Sequence, residues 1–418
     1  MNTLIGQIQC ALVLVTLSTL NSQLSTCIAQ GSLAPPGAPA PTMKSLDQIE
    51  PRTPISSAPF TITNPGSYYL TANLTVSTGN AITIATNAVT LDLSGFTISS
   101  TAASATGSGI LLNSGMRNIT IANGFIQGGV TDNAGTYSGS GFAYGINISA
   151  TPPVNVLISR VSVSRCLLYG IYLNLGDSTA VEFCTVRTIG GYGIVAGTIK
   201  GSLAIDCGNN AIYGDQISDC RGQTGGTGAG VHATSALNCY GYNSSNGDGL
   251  FADNAGNCYG YSASGNGLYA YSAQNSYGES NTGIGVNADS ALNCHGYSAG
   301  ARGIYAYTAA NCYGQSAGSG EGIYTDIAQT CEGSSVNGAG LFATTANNCY
   351  GSSTSASGLL ATSATGCYGS SSSFTGLAGT IAIGCYGFSS SGVGLSVVYA
   401  NSCAGSSIHY TYYYNMPP

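Results

Sequence analysis

From residue 220 onward, small or apolar residues alternate with aromatic or polar ones, and the alternation restarts every 18 or 19 positions. One ladder is Cys220, Cys239, Cys258, Ser276, Cys294, Cys312, Cys331, Cys349, Cys367, Cys385 and Cys403. A second keeps step with it through Gly230-Val231, Gly249-Leu250, Gly267-Leu268 and their successors to Gly394-Leu395. A third places an Ala three residues before each ladder position from Ala236 to Ala400. Within a unit the period is two, the period of a strand. In Asn257-Cys258-Tyr259-Gly260, Cys258 and Gly260 share one face and Tyr259 takes the other; in Gly267-Leu268-Tyr269-Ala270, Leu268 and Ala270 oppose Tyr269. So short a unit cannot bury a core alone, and stacking copies solves this by pairing each strand with its equivalent in the next coil. The pattern predicts an all-β, right-handed, single-stranded parallel β-helix, with Cys, Leu/Ile and Ala inside and Tyr outside. Roughly sixteen coils at ~4.8 Å would make a rod of about 75 Å. A hexapeptide left-handed helix fails because Leu268 follows Cys258 by ten. A calcium β-roll lacks its Asp ladder, and leucine-rich repeats would need far more Leu.

The remaining chain divides around this array. Residues 58–153 carry less regular alternating strands, such as Ala81-Ile82-Thr83-Ile84 and Val89-Thr90-Leu91-Asp92-Leu93, with a Gly/Ser-rich insertion at 129–150. Residues 154–404 hold the repeats, and the Tyr-rich segment 405–418 is expected to be a cap or tail over the open strand edges. Residues 1–29 contain the apolar run Ala11-Leu12-Val13-Leu14-Val15 and small residues before a cleavage point after Ala29, which reads as an export signal. Leu24-Ser25-Thr26-Cys27 is a weak match to a bacterial lipoprotein box, and Thr26 fits poorly before the Cys, so lipid anchoring through Cys27 is the lesser reading. Residues 30–57, with Pro35, Pro36, Pro39, Pro41, Pro51 and Pro54, read as an extended linker. A secreted or cell-surface location follows, and no stretch is long and apolar enough to be a membrane span.

Composition narrows the function classes. Only 6% of the 418 residues are charged, against roughly 25% in an ordinary soluble domain. With 9 Lys+Arg and a net charge of −7 there is no basic patch to neutralise phosphates, which excludes nucleic acid as a partner. The Cys ladder lacks the close Cys-x-x-Cys spacing of a metal site, so no metal or other cofactor is expected. In-register Cys in adjacent coils would hold their Cβ atoms near ~4.8 Å, wider than the ~3.8 Å of a disulfide, which favours buried thiols acting as small hydrophobes.

Gly66-Ser67-Tyr68-Tyr69-Leu70-Thr71, Asn73-Leu74-Thr75, Ala81-Ile82-Thr83-Ile84 and Val89-Thr90-Leu91-Asp92-Leu93-Ser94-Gly95-Phe96-Thr97-Ile98 together resemble the opening of secreted bacterial right-handed parallel β-helix repeat proteins. The resemblance spans roughly residues 35–404. It implies the pectate-lyase-like superfold, which hosts lyases, hydrolases and adhesins and so leaves activity open.

The motifs of pectin-degrading β-helix hydrolases are missing: no clustered Asp motif, no Gly-His-Gly and no Arg-x-Lys occurs. Beyond Cys239 the only Lys or Arg is Arg302. One enrichment of charge, Lys200, Asp206, Asp215, Asp219 and Arg221, is a weak candidate for an acid/base site; solvated turn residues are the simpler reading. The outward aromatic column Tyr240, Tyr259, Tyr277, Tyr313, Tyr350, Tyr368 and Tyr386 is the better candidate for ligand contact, since aromatic rows can stack on sugar rings, or else simply stabilise neighbouring coils. The resulting expectation is an exported, non-enzymatic β-helix presenting a long surface for adhesion, envelope or matrix association, or binding of polysaccharide or cell-surface glycan. The alternative is a polysaccharide lyase or glycoside hydrolase.

Overall fold

The computed structural model describes residues 51–176 and 178–414. The chain divides into two units at Pro51–Arg52. The export signal, Cys27 and most of the Pro-rich segment therefore lie outside the described residues. From Arg52 the described chain is a parallel β-solenoid of about 20 turns, with ~18-residue coils in the repeats and no helix.

One coil shows why the repeat folds as it does. In the strand Leu268–Gln274, Leu268, Ala270 and Ala273 are buried while Tyr271 and Ser272 are both exposed, so the strict alternation breaks once. The break is a corner: Tyr271 has no register partner, whereas Ala270 and Ser272 on either side pair with Ala288 and Ser290 of the next coil. Asn275 then adopts a left-handed conformation (φ 50°) and turns the chain through a second corner. Apart from Gly, Asn accepts this region most readily, which explains the Asn before Cys239, Cys258, Cys294, Cys312 and Cys349. Ser276 points inward and Tyr277–Ser280 forms the third side.

The third side leads back to the first through a close approach. A Cβ on Gly260 would collide with the carbonyl of Gly267, and one on Gly267 with the backbone of Glu279. The Tyr-Gly and Gly-Leu glycines are thus the places where two sides of the coil touch backbone to backbone. The connecting turn is pinned by a buried serine. Ser280 Oγ donates to the Gly265 carbonyl (2.7 Å) and accepts from the Gly283 amide (2.9 Å), and Ser335 repeats both bonds with Gly320 and Gly338. The sequence Tyr-Gly-x-Ser is therefore one strand that carries both devices.

All thirteen described cysteines are buried and free. They line the lumen, as expected, and along the ladder from Cys220 to Cys403 the sulfurs find carbonyls: Cys312 Sγ donates to Ala310 O (3.2 Å) and lies 3.4 Å from Ala291 O in the coil before. Burial pushes the Cys166 thiol up to about 12 and the Cys184 and Cys220 thiols up to about 11.

Earlier coils are larger and are filled by wholly buried aliphatics such as Ile82, Leu91, Leu93 and Ile110. The solenoid begins inside the Pro-rich stretch, since Thr53–Ile55 already pairs with Tyr68–Leu70. Of the Gly/Ser-rich insertion, only the antiparallel hairpin Gly129–Asn133/Thr136–Ser140 leaves the stack, turning on Ala134 and Gly135, both with positive φ. Tyr144–Ile148 has rejoined it. At the other end Ile408–Tyr414 pairs in parallel with Leu395–Asn401, so this part of the Tyr-rich tail is a further rung.

Two outcomes follow. Iodoacetamide at pH 8.5 should label almost none of the thirteen luminal thiols in the native chain, because they are buried away from the reagent, and all of them in guanidinium; mass spectrometry counts the adducts. Gly260→Ala should destabilise by about 3 kcal/mol or more through overpacking against backbone. Gly256→Ala, whose Cβ would meet only the Leu237 Cδ1 at 3.3 Å, should cost under about 1 kcal/mol. Thermal melts compare the two.

Candidate functional site

The second corner of successive coils stacks into a groove along the solenoid. Its best-formed stretch encloses about 770 Å³ and runs from Gly201 to Asn293. Its floor is the column of left-handed residues Asp219, Asn238, Asn257, Asn275 and Asn293, with φ between 50° and 56°. These side chains are exposed and bonded to one another: Asn238 Nδ2 donates to Asp219 Oδ1 (3.1 Å), Asn257 to Asn238 (3.3 Å), Asn275 to Asn257 (3.3 Å) and Asn293 to Asn275 (3.0 Å). Asp219 sets the direction. An ionised carboxylate only accepts, so Asn238 must turn its NH₂ toward it, leaving its own oxygen for Asn257, and the order propagates.

One bank of the groove is the tyrosine column. Each residue from Tyr240 to Tyr386 opens a four-residue strand, half-exposed or slightly more. Rings of successive coils lie face to face: Tyr240/Tyr259 at 5.0 Å and 1°, Tyr259/Tyr277 at 5.0 Å and 18°, Tyr350/Tyr368 at 5.2 Å and 16°, Tyr368/Tyr386 at 5.3 Å and 12°. The Arg221 guanidinium covers Tyr240 at 5.0 Å. His295 interrupts the column, edge-on to Tyr277 (4.7 Å) and Tyr313 (4.8 Å), and Glu332 takes the next place. Of the two expectations for this column, the packing of rings between neighbouring coils is present. Strand spacing matches aromatic stacking distance, so the ring faces are spent on each other and a ligand meets edges and hydroxyls. The hydroxyls are organised too: Tyr259 donates to Glu279 Oε2 at 2.8 Å, and Tyr277 lies 3.4 Å from the same oxygen. Burial, then this bond, holds the Tyr259 hydroxyl well above the ordinary phenol range.

The five charged candidates do not converge. Asp219 and Arg221 share the groove. Lys200 is exposed at the end of Ile194–Lys200. Asp215 sits at the first corner beside Gly197, Thr198 and Gln216. Asp206 lies under the hairpin, where Tyr137 donates to Oδ1 (2.9 Å) and Thr188 to Oδ2 (2.7 Å). Both oxygens of Asp206 are thus engaged, Oδ1 by the hairpin arm and Oδ2 by the neighbouring coil. Among the described residues no three His, Cys, Asp or Glu side chains are grouped to hold a metal.

The asparagines of the floor are neither acid/base nor aromatic residues and so stand outside both sets of sequence candidates. Their signal is plain in the sequence: Asn before Cys or Ser at 238, 257, 275, 293, 311 and 348. The chain matches no protein-family model, no curated protein and no solved structure.

His295 gives the site a pH dependence. Its Nε2 is buried with no partner, and burial holds the imidazole below its usual value, partly opposed by Glu279. Below about pH 6.5 the unfolded chain takes up the proton before the folded one, so this residue costs stability as pH falls. The melting temperature should therefore fall between pH 7.5 and 5.5, and fall less in His295→Tyr, which restores the aromatic column.

Proposed function

We propose that the chain is an exported, non-enzymatic β-helix of the pectate-lyase-like superfold whose outer surface binds polysaccharide in a cell envelope or matrix. The observation that carries this reading is the groove: a long, open, regularly repeated surface of amides, hydroxyls and ring edges. Such a surface suits an extended ligand, and its regularity offers no single position at which one bond would be cleaved. The scatter of Lys200, Asp206, Asp215, Asp219 and Arg221 over several parts of the coil supports binding over catalysis, because a glycosidase or lyase needs its acid and base across one bond. Few cationic side chains argue against nucleic acid. Among the described residues no helix is long and apolar enough to cross a membrane. Residues 1–29 are read as the signal that delivers the chain to where such polymers are found.

The test is native affinity electrophoresis through gels containing hydroxyethyl cellulose, mixed-linkage β-glucan or polygalacturonate, with a parallel assay for reducing ends and unsaturated products. Retardation by at least one polymer without turnover is expected. Turnover that disappears in Asp206→Asn or Asp219→Asn would establish the enzymatic alternative instead.

A further inference from the structure

The corner that forms the groove is continuous over most of the solenoid. Left-handed residues occupy it at Asn123, Arg160, Phe183 and Gly201 before Asp219, and on to Ser402 near the other end. What changes along it is chemistry. Between Asn238 and Asn311 every corner residue is Asn, and no charged side chain stands in the floor.

Hydrogen-bond accounting defines what this stretch can recognise. A primary amide offers two N–H donors and two acceptor lone pairs. An interior member such as Asn257 uses one donor toward Asn238 and one acceptor toward Asn275. One donor and one acceptor remain, on an exposed side chain, at every rung. On the adjoining bank the Glu279 carboxylate is already engaged by Tyr259 and Tyr277, and the charged pair Asp219 and Arg221 stands at the end of the groove before Asn238. His295, held neutral by burial, adds no charge. The unspent capacity is therefore paired donor and acceptor, uncharged, repeating at the strand spacing of about 4.8 Å.

A ligand complementary to this must carry groups that both donate and accept, must be neutral, and must repeat along one direction at close to one unit per rung. Hydroxyls on an extended chain of sugar rings meet all three conditions. An anionic polymer would find a single cation, Arg221, at one end of the track and already over Tyr240. A planar aromatic ligand would find the ring faces taken.

We infer that the asparagine-floored part of the groove, between Asn238 and Asn293, is a binding track for a neutral, extended polysaccharide lying parallel to the solenoid axis. This rests on the polysaccharide-binding reading above and specifies its site and ligand class. The amides bond the sugar hydroxyls, and the tyrosine edges supply apolar contact without ring stacking. Because all the amides point their NH₂ groups toward Asp219, the track has a direction, and the two ends of the polymer are not equivalent in it.

The experiment measures dissociation constants for the full chain by affinity electrophoresis in hydroxyethyl cellulose, mixed-linkage β-glucan and polygalacturonate. The central variant is Asn257→Gly/Asn275→Gly/Asn293→Gly. It removes the amides while keeping left-handed geometry, since Gly201, Gly366 and Gly384 occupy this position naturally; circular dichroism confirms its fold. A control, Tyr305→Ser/Tyr324→Ser, alters an aromatic column on the first side of the coil. The expected result is binding to a neutral glucan, tenfold or more weaker in the folded glycine variant and unchanged in the control. Unchanged affinity in the glycine variant overturns the track while leaving polysaccharide binding intact. Preference for polygalacturonate overturns the ligand class. No retention of the unmodified chain in any of the three gels overturns the binding reading and the track together.

Discussion

The paired strand residues of the repeat sit directly against their own counterparts one rung away. In-register parallel stacking imposes this, and the chemistry of the molecule follows from what tolerates self-contact at strand spacing. Thiols and methyl groups tolerate it inside, and amides tolerate it because Asn donates and accepts at once. Aromatic rings tolerate it because they stack. Charges of one sign do not, since like charges side by side repel. The low charged content, 6%, is thus a structural consequence of stacking. Where charge occurs in the repeat it is offset or isolated: Arg302 meets Glu321 of the following coil at 2.7 Å and lies over Tyr324, and Glu332 separates Tyr313 from Tyr350.

The fold was legible because a period of two inside a period of 18 or 19 leaves few architectures. The inward set Leu268, Ala270, Ala273 and Cys258 could be read directly from alternation and hydrophobicity. Other features were not, for physical reasons. Alternation does not reveal a corner at Tyr271, because two exposed residues in succession look like a lapse of pattern. Gly260 and Gly267 read as small members of alternating strands, and alternation does not reveal that they are contact points between two sides of the coil. The insertion also looked longer than the hairpin that leaves the stack, since Gly and Ser are equally at home in the coil's own turns.

The candidate site was half legible. Outward tyrosines were visible, but an outward residue in a solenoid still has a neighbour above and below. The planes between Tyr240 and Tyr259 differ by 1°, so the surface such a column offers is its rim. The asparagine column was visible as a repeat and overlooked as a surface, because Asn at a turn is ordinarily explained by backbone conformation alone. Here the same residue satisfies the left-handed corner, bonds its counterparts and keeps hydrogen-bonding capacity for a partner. Structure and recognition are then not competing explanations for it.

The central claim is that equivalent residues of neighbouring coils lie side by side. Nitroxide labels introduced through Tyr271→Cys and Asp289→Cys, exposed equivalent positions at the first corner of adjacent coils, test it most directly by continuous-wave electron paramagnetic resonance. Strong spin–spin broadening is predicted for this pair, and distinctly less for Tyr271→Cys with Tyr307→Cys two coils apart. Equal, unbroadened spectra from both pairs would contradict in-register stacking and everything built on it.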